Sequence, residues 1–515
     1  MKQPLLFTLL SSAACVATAA DKAPKQTTSE KAKTPNVVFI YADDLGYGDL
    51  ECYGAKNVQT PNVNRLAKSG IRFTNAHATA ATSTPSRYSM LTGEYAWRKK
   101  GTDVAAGNAG MIIRPEQYTM ADMFKSTGYA TGAIGKWHLG LGDKAGTQDS
   151  NAPLPSALGF DYHYIMAATA DRVPCVYIEN GKVANYDPSA PIEVSYQRNF
   201  EGEPTGKSNP EMLYNLKPSH GHDMSIVNGI SRIGFMKGGG KALWKDENIA
   251  DSLTTHAIQF IEENKDKPFF LYYGLHQPHV PRVPNERFAG KSGMGPRGDV
   301  ILEADWCVTE FLKEMDKLGL TENTLVVFTS DNGPVLDDGY QDQAVELVGD
   351  HKMAGPLRGG KTSLYDGGTC IPFMLRWPAE VKPGAVSDAL VCQMDLLASL
   401  SALIGQTYSD KVDSQNTLPV FLGKGGNGRK ELVLEGYFNY ALRDGDWVMI
   451  PPYPDTYGDA EEAAFAGNSN CYQLYNVKED IGQQVNLAEK EPKRLRQMMM
   501  TFERLKRETG KITNF

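Results

Sequence analysis

Two pairs of oxygen-bearing side chains end apolar runs that lie far apart in the chain. Asp43 and Asp44 end NVVFIYADD. Asp331 and Asn332 follow TLVVFTS. Adjacent carboxylates repel each other unless a cation or an arginine neutralises them, and hard divalent cations such as Ca²⁺ and Mg²⁺ take oxygen ligands. Asp, Asn and Gly are also common turn residues, but two such pairs at the ends of apolar runs favour a metal site.

A lysine and a histidine lie two residues apart in GKWHLG, as Lys136 and His138. Residues two apart on a strand project to the same side, so we expect the ammonium and the imidazole to face one point. This pair suits an anion whose charge is held while a proton moves. The alternative is a lysine at a strand end and a histidine bound to a backbone group.

The segment HQPHVP contains His276 and His279. A histidine can act as a general acid near neutral pH, and the prolines on both sides of His279 would stiffen its loop. The spacing of the two histidines would also suit a transition metal, but no third nitrogen or sulfur ligand lies at a suggestive spacing.

Lys361, in RGGKTSLYDGG, supplies a further cation in a glycine-rich loop. Such a loop resembles a phosphate-binding loop, although we do not expect a nucleotide site here. The inventory is therefore four oxygen ligands, several cations and at least one proton donor. It favours hydrolysis of a phosphate or sulfate ester, because the metal and the cationic side chains can hold the charged oxygens while a nucleophile attacks. These residues do not include the nucleophile.

The elements that must position these groups are short apolar runs alternating with amphipathic segments. The runs NVVFIYA, ATGAIGK, PFFLYYG and TLVVFTS are typical of strands buried on both faces. Helical patterns separate them, so we predict an α/β fold with a large, mostly parallel sheet flanked by helices. The polar clusters follow the strands, and open α/β sheets bind ligands at that edge.

The character of the sequence changes near residue 410. Short aromatic strands with turns follow, closed by one amphipathic segment near the C-terminus. We predict a smaller antiparallel sheet with one helix. The expected division is a catalytic domain at 35–410 and an α+β subdomain at 411–515.

The bulk composition disfavours some partners. The net charge is −8, from 53 basic and 61 acidic residues, so nucleic acid and anionic membranes are not expected partners. No transmembrane segment is predicted after the first twenty residues. The six later cysteines are widely spaced, which argues against a zinc site or a dense disulfide framework but leaves one or two disulfides open.

The first twenty residues have a basic start, a short apolar stretch and small residues before a cleavage site, so 1–20 is predicted to be a signal peptide. Residues 21–34 are polar and charged, which predicts a disordered spacer. We expect export, most simply to the periplasm. A lipid anchor on Cys15 is less favoured, because Ser12-Ala13-Ala14 lacks the leucine of a lipoprotein signal.

The stretch STPSRYSMLTG, residues 83–93, matches the sulfatase signature, in which Cys or Ser precedes x-P-S-R-x-x-x-L-T-G. Other segments that resemble this family appear in its order: ADDLGYGDL, TPNVNRLAKSGIRFTNAHA, GYATGAIGKWHLG, HQPHVP, SDNG and GGKTSLYDGG. The chain thus resembles a type I sulfatase of the alkaline phosphatase superfamily from about Pro35 to Leu487, which implies an alkaline-phosphatase-like fold and sulfuric ester hydrolysis.

The resemblance implies that Ser83 is oxidised to formylglycine, whose hydrated aldehyde is the nucleophile. A serine at this position implies a radical maturation enzyme that works without oxygen and first reads Pro85 and Ser86. Arg87 would hold the diol. The implied ligands of Ca²⁺, which is expected in preference to Mg²⁺, are Asp43, Asp44, Asp331, Asn332 and the diol oxygen at Ser83.

The remaining roles implied by the resemblance concern the substrate's sulfate group and its leaving alcohol. Lys136 and Lys361 would bind sulfate oxygens. His279 would protonate the leaving alcohol, and His138 would assist breakdown of the sulfated intermediate.

The chain departs from the family at YDGGTCIP, where Cys370 replaces an arginine, so we expect a different ion pair there. A hydroxyl near the sulfate is also expected, and Thr169 is the candidate. The region from Asp161 to Trp244 is not needed for the core chemistry. In it we predict that Asp171, Arg172 and His222 bind substrate, although these could equally be packing residues of the loops.

The expected substrate is a sulfated carbohydrate, such as a glycosaminoglycan, a mucin or an algal glycan. Neither the sugar nor the sulfated position can be read from the sequence. Two alternatives remain open. One is a phosphomonoester or phosphonate hydrolase on the same scaffold, and the other is a glycan-binding pseudoenzyme in which Ser83 stays unmodified.

Overall fold

The computed structural model describes residues 34–141, 154–406, 412–453 and 460–507. The predicted signal peptide lies outside these residues, and so does the predicted spacer except for Thr34. The strands are β1 Asn36–Ala42, β2 Ile71–Phe73, β3 Ala76–His77, β4 Ala130–Lys136, β5 Tyr162–Met166, β6 Tyr177–Glu179, β7 Lys182–Val183, β8 Glu193–Ser195, β9 Ile226–Val227, β10 Ile230–Ser231, β11 Phe235–Lys237, β12 Phe269–Gly274, β13 Thr324–Ser330, β14 Phe373–Arg376, β15 Ala385–Ser387, β16 Val391–Cys392, β17 Glu431–Glu435, β18 Tyr440–Asp444, β19 Trp447–Ile450 and β20 Gln473–Asn476.

The α-helices cover the sheets and carry part of the site. They are α1 Pro61–Lys68, α2 Ser83–Thr92, α3 Met120–Ser126, α4 Ile249–Asn264, α5 Gly295–Lys317, α6 Ala344–Leu347, α7 Asp366–Thr369, α8 Leu396–Leu403, α9 Leu418–Phe421, α10 Ala460–Ala466 and α11 Pro492–Arg507.

The central sheet has ten strands in the order β15-β2-β14-β13-β1-β12-β4-β5-β6-β7. The five neighbours from β13 to β5 are parallel, whereas β14 and β6 run antiparallel to the strands beside them. The prediction of a large, mostly parallel sheet is confirmed. Its four predicted strands are β1, β4, β12 and β13, and they lie side by side at the centre.

Each of these central strands is buried along its whole length. In β1, Val38 and Ile40 belong to the core on one side of the sheet, which includes side chains of α1, α4 and α5. Phe39 and Tyr41 belong to the core on the other side, with side chains of α2, α3 and α8. Because successive side chains on a strand point to opposite faces, a strand between two cores must be apolar throughout. This explains why the runs show no alternation of polar and apolar residues.

The parallel register brings the carboxyl ends of these strands together. Ala42 is paired with Ser330, and Gly274 is paired with Gly135, so the polar residues that follow each strand emerge at one edge. Gly135 has a φ of +95°, and a Cβ there would lie 1.8 Å from the carbonyl oxygen of Gly274. Glycine is therefore required next to Lys136.

The C-terminal part forms a second sheet with the order β17-β18-β19-β20, antiparallel throughout. Helix α11 packs on it through the buried side chains of Met498 and Phe502. The predicted smaller antiparallel sheet with a helix is confirmed. The described residues from Thr34 onward belong to one compact unit, and the domain boundary near residue 410 stays a prediction.

The cysteines in the described residues are all unpaired. They are Cys52, Cys175, Cys307, Cys370, Cys392 and Cys471, so neither of the disulfides left open by the sequence is present among them. None of the helices in the described ranges combines the length and the apolar character that crossing a membrane requires.

Candidate active site

Ser83 is the first residue of α2, directly after the extended residue Thr82. Pro85 fits in the first turn because the backbone N–H that it lacks would have no partner within the helix there. The helix is buried throughout and ends at Gly93, which has a φ of 70°. The Ser83 hydroxyl thus has a fixed position at the edge of the central sheet.

The hydroxyl of Ser83 lies between a cation and two groups that carry oxygen. Lys136 Nζ donates to Ser83 Oγ at 2.8 Å. Ser83 Oγ is 3.4 Å from Asp43 Oδ1 and 3.4 Å from Asn332 Oδ1. Helix α2 and strands β1, β4 and β13 therefore bring these four predicted residues together.

Three carboxylates form a buried acidic cluster beside Ser83. Asp43, Asp44 and Asp331 each offer an oxygen, and these oxygens lie within 4.8 Å of one another. Burial raises the pKa of Asp43 well above its usual range, and the carboxylate of Asp331 adds to this although Lys136 opposes it. Asp43 Oδ2 is buried and has no hydrogen-bond partner among the described residues. An oxygen of this kind can accept a cation.

Lys136 and Arg87 supply the positive charge that this cluster needs. Lys136 Nζ lies 2.6 Å from Asp43 Oδ1 and 3.6 Å from Asp331 Oδ2. Arg87 donates to Asp331 Oδ2 through Nε at 3.1 Å and through Nη2 at 2.8 Å. Burial alone would raise the pKa of Asp331, but Arg87 and Lys136 outweigh it and lower that pKa. Asp331 is therefore ionised.

The structure places the ring of His138 differently from what strand alternation predicts. Strand β4 ends at Lys136, and His138 has a φ of 55°, so strand alternation does not set the direction of its ring. Its Nε2 bonds to the carbonyl of Ala105 at 2.9 Å. Its Nδ1 is buried with no hydrogen-bond partner among the described residues. Burial, with a contribution from Lys136, lowers the pKa of His138 well below its usual range, so the ring is neutral.

His279 and Lys361 meet on another side of the acidic cluster. Lys361 Nζ donates to Asp44 Oδ2 at 2.9 Å and lies 3.4 Å from His279 Nε2. His279 Nδ1 bonds to the carbonyl of Val280 at 2.7 Å, which leaves Nε2 facing the cluster. His276 is part of the same loop, and its Nε2 lies 3.5 Å from the carbonyl of Pro281.

Asp338 is a site residue that the sequence analysis missed. Its Oδ2 accepts from Lys361 Nζ at 2.7 Å and lies 3.9 Å from His279 Nε2. Its side chain is partly exposed, so this carboxylate can reach a bound substrate. The available signal was the acidic pair LDDG a few residues beyond SDNG.

The predicted substrate-binding residues form one network. Thr169 Oγ1 hydrogen-bonds to Asp171 Oδ1, and Arg172 Nη1 donates to both residues at 2.9–3.1 Å. His222 Nε2 lies 2.9 Å from Asp171 Oδ2. Burial opposes the charge on Asp171, but Arg172 and His222 lower its pKa well below its usual range. Burial and Lys361 lower the pKa of His279 well below its usual range, and Asp171 of this network opposes that shift.

The segment around Cys370 contains a buried ion pair. Asp366 Oδ2 accepts from Arg443 Nη1 at 2.6 Å, and Arg443 comes from β18 of the C-terminal sheet. Cys370 itself is buried. The pair joins the short helix α7 to the C-terminal sheet, and a difference from the family's ion pair stays a prediction.

The glycine-rich loop also has the spacing of a phosphate-binding loop, GPLRGGKT at 355–362. That motif needs a strand before it and a helix directly after it. Neither is present at this position, so the loop serves here to place Lys361.

Comparisons with known proteins identify the class to which this site belongs. The sulfatase family model matches residues 35–406, so the chain belongs to the sulfatase family. As predicted, it is a sulfuric ester hydrolase. It is 49% identical over 482 residues to an N-acetylgalactosamine-6-O-sulfatase of Bacteroides thetaiotaomicron, covering 93% of this chain and 94% of that relative. Human arylsulfatase A is 31% identical, with 88% and 84% covered.

A solved structure with a TM-score of 0.89 covers 92% of this chain and 99% of its own, at 49% identity. It comes from work on the metabolism of multiple glycosaminoglycans by Bacteroides thetaiotaomicron. The fold described above is therefore that of a solved structure in the same family.

The buried pair between Arg87 and Asp331 generates a prediction about stability. Arg87→Leu leaves Asp331 buried and without its main cation, so we expect the free energy of unfolding to fall by about 3–5 kcal/mol. Arg65→Leu is the matched control, because the Arg65–Asp316 pair is 3.9 Å apart and half exposed. Arg65→Leu should lower the free energy of unfolding by at most about 1 kcal/mol. Urea unfolding measures both, and equal losses would contradict the central role given to the buried pair.

Proposed function

We propose that the protein releases inorganic sulfate from a sulfated carbohydrate, using a formylglycine derived from Ser83 and a bound calcium ion. The observation that carries this proposal is the position of Ser83 Oγ, 2.8 Å from Lys136 Nζ and 3.4 Å from the oxygens of Asp43 and Asn332. A formylglycine there would supply a hydrated aldehyde oxygen as the nucleophile. A radical maturation enzyme would act on Ser83, with Pro85 and Ser86 as its first recognition residues.

The donor set fits a hard cation. The oxygens of the acidic cluster, together with the side-chain oxygen of Asn332, are the ligand type that calcium and magnesium share. Two other groups also have ligand atoms close together, Asp43 with His276 and His279, and Asp44 with His279 and Asp338. The all-oxygen set is preferred because Asp43 and Asn332, two of its members, lie 3.4 Å from Ser83 Oγ. The proposed ligands are Asp43, Asp44, Asp331, Asn332 and the modified residue 83. Ca²⁺ is preferred to Mg²⁺ because it takes more ligands in a less strict geometry.

The cationic side chains would bind the sulfate. Lys136 Nζ and Lys361 Nζ bond to oxygens of Asp43 and Asp44, so both cations are held at the acidic cluster, where a sulfate bound at residue 83 would meet them. Buried, preoriented donors stabilise developing charge without reorganisation. Arg87 would hold the modified residue 83 and keep Asp331 ionised.

The two histidines would have opposite proton roles. In His279 the Nδ1–H donates to a backbone carbonyl, so the neutral ring has its lone pair on Nε2. Burial and the nearby Lys361 hold the pKa of His279 well below its usual range. Nε2 would therefore first take a proton, which Lys361 Nζ at 3.4 Å can supply, and would then protonate the leaving oxygen. In His138 the bond from Nε2 to Ala105 leaves a lone pair on Nδ1. His138 would therefore act as the proton acceptor in the second half of the reaction, in keeping with its lowered pKa.

We infer that the substrate is a sulfated glycan and that N-acetylgalactosamine 6-sulfate is the first candidate for the sulfated sugar. The similarity to the N-acetylgalactosamine-6-O-sulfatase supports this choice. The network of Thr169, Asp171, Arg172 and His222 offers fixed acceptors and donors for sugar hydroxyls. Export to the periplasm, proposed from residues 1–20, would place the enzyme where extracellular glycan fragments arrive.

The first test compares matched esters on protein matured in its own host. We expect 4-nitrophenyl sulfate to be hydrolysed much faster than 4-nitrophenyl phosphate, and N-acetylgalactosamine 6-sulfate to release sulfate. Metal-stripped protein should regain more activity with Ca²⁺ than with Mg²⁺. A clear preference for the phosphate ester would favour the phosphomonoesterase alternative and overturn this proposal.

The second test separates the roles of the two loop histidines. A nitrophenolate leaves without a proton, whereas a sugar alkoxide must be protonated. His279→Gln should therefore lower kcat on the sugar sulfate by about 10²–10⁴-fold and affect the aryl sulfate far less. His276→Gln in the same loop is the control and should leave the ratio of the two rates unchanged. An equal loss on both substrates in His279→Gln would argue against a general acid at this position.

A further inference from the structure

Three exposed aromatic side chains lie in the C-terminal part of the chain, on two segments that are both bound to the loop of Lys361. Tyr437 is 44% exposed, Phe438 38% and Phe465 48%, and we call these three the aromatic surface. The other exposed large aromatic side chains in the described ranges are Tyr118, at 43%, and Tyr214, at 80%. Three of these five side chains therefore lie on the two segments, and groups of exposed apolar side chains mark binding surfaces.

The aromatic surface is attached directly to the loop that carries Lys361. The backbone N–H of Tyr437 donates to the carbonyl of Thr362 at 3.2 Å. On the other side, Ser363 Oγ donates to the carbonyl of Phe465 at 2.7 Å. The neighbours of Lys361 are therefore bound to the two chain segments that present these rings.

The same loop is bound to the strand end that leads into Ser83. Thr362 N donates to the carbonyl of Ala81 at 2.7 Å, and Ala81 N donates to the carbonyl of Glu435 at 2.8 Å. Glu435 precedes the turn that holds Tyr437 and Phe438. The segment that carries Tyr437 and Phe438 and the segment that leads into Ser83 are thus joined by a short series of backbone hydrogen bonds.

The rings are held by packing against each other. Tyr437 and Phe438 meet edge to face, with centroids 4.3 Å apart, and Phe438 lies nearly parallel to Tyr453 at 6.4 Å. Phe465 lies over Gly360, where an added Cβ would be 3.4 Å from its Cζ. Because the rings are already ordered, their side chains lose little conformational entropy when a ligand stacks on them.

We propose that the aromatic surface binds a second sugar ring of the glycan, one that lies beyond the sulfated residue held at the active site. The C–H groups on one face of a pyranose ring form an apolar patch that stacks on aromatic rings. This inference rests on the proposed function and extends it, because it makes the substrate an oligosaccharide. The segments that carry the aromatic surface are hydrogen-bonded to the loop of Lys361. We therefore expect the occupant to be another sugar of the same substrate.

The test uses two substitutions and one matched control. Phe438→Ala and Phe465→Ala remove rings of the aromatic surface, and Tyr118→Ala removes a ring of similar exposure elsewhere. Calorimetric titration with a desulfated chondroitin tetrasaccharide should show about three- to tenfold weaker binding for the first two variants. The Tyr118→Ala variant should bind like the unaltered protein. Equal affinity in all four proteins would overturn the inference, and so would a change of oligomeric state confined to the two surface variants.

A kinetic measurement distinguishes this inference from the proposed function. The kcat/KM for N-acetylgalactosamine 6-sulfate should be unchanged in the two variants, whereas that for a 6-sulfated tetrasaccharide should fall about three- to tenfold. If no sulfate is released from any substrate while tetrasaccharide binding still weakens, the proposed function fails and the aromatic surface stands. If sulfate is released and both variants treat mono- and tetrasaccharides as the unaltered protein does, the inference about the aromatic surface is wrong.

Discussion

Three carboxylates share a buried edge of the central sheet, with oxygens within 4.8 Å of one another, and their mutual repulsion is the constraint on which the site depends. Buried like charges are costly unless cations lie beside them. Lys136 comes from the end of β4, Arg87 from helix α2, and Lys361 from the glycine-rich loop. Each reaches the cluster from a different element. The fold is therefore coupled to the site, because the parallel register of the central strands creates the repulsion and the surrounding elements must supply the compensating charge.

The need for compensating positive charge also explains why the site involves both sheets. The loop that places Lys361 is bound on one side to the segment before Ser83 and on the other to the C-terminal part of the chain. Asp366, which begins the short helix after that loop, pairs with Arg443 of the second sheet. A change in the C-terminal sheet can thus alter the position of Lys361 without any contact with the substrate.

Much of this organisation could be predicted from the sequence, because a strand buried on both faces has to be apolar throughout and the polar residues that follow it mark the sheet edge. For this reason Asp43 and Asp331 were assigned to one site. Other features arise from contacts between segments that share no pattern. Asp338 reaches Lys361 from an irregular loop, and Arg443 reaches Asp366 from a distant strand. The ring of His138 is set by a left-handed backbone conformation, which strand alternation cannot predict.

The central claim is that Ser83 is the precursor of the nucleophile, because its hydroxyl lies at the acidic cluster between Lys136, Asp43 and Asn332. Mass spectrometry of the peptide that spans Ser83 tests this most directly, on protein purified from its own host. The account predicts a peptide lighter than the serine form by two hydrogens, in a fraction that rises with sulfate release. A preparation that contains only serine at position 83 and still hydrolyses sulfate esters would contradict it.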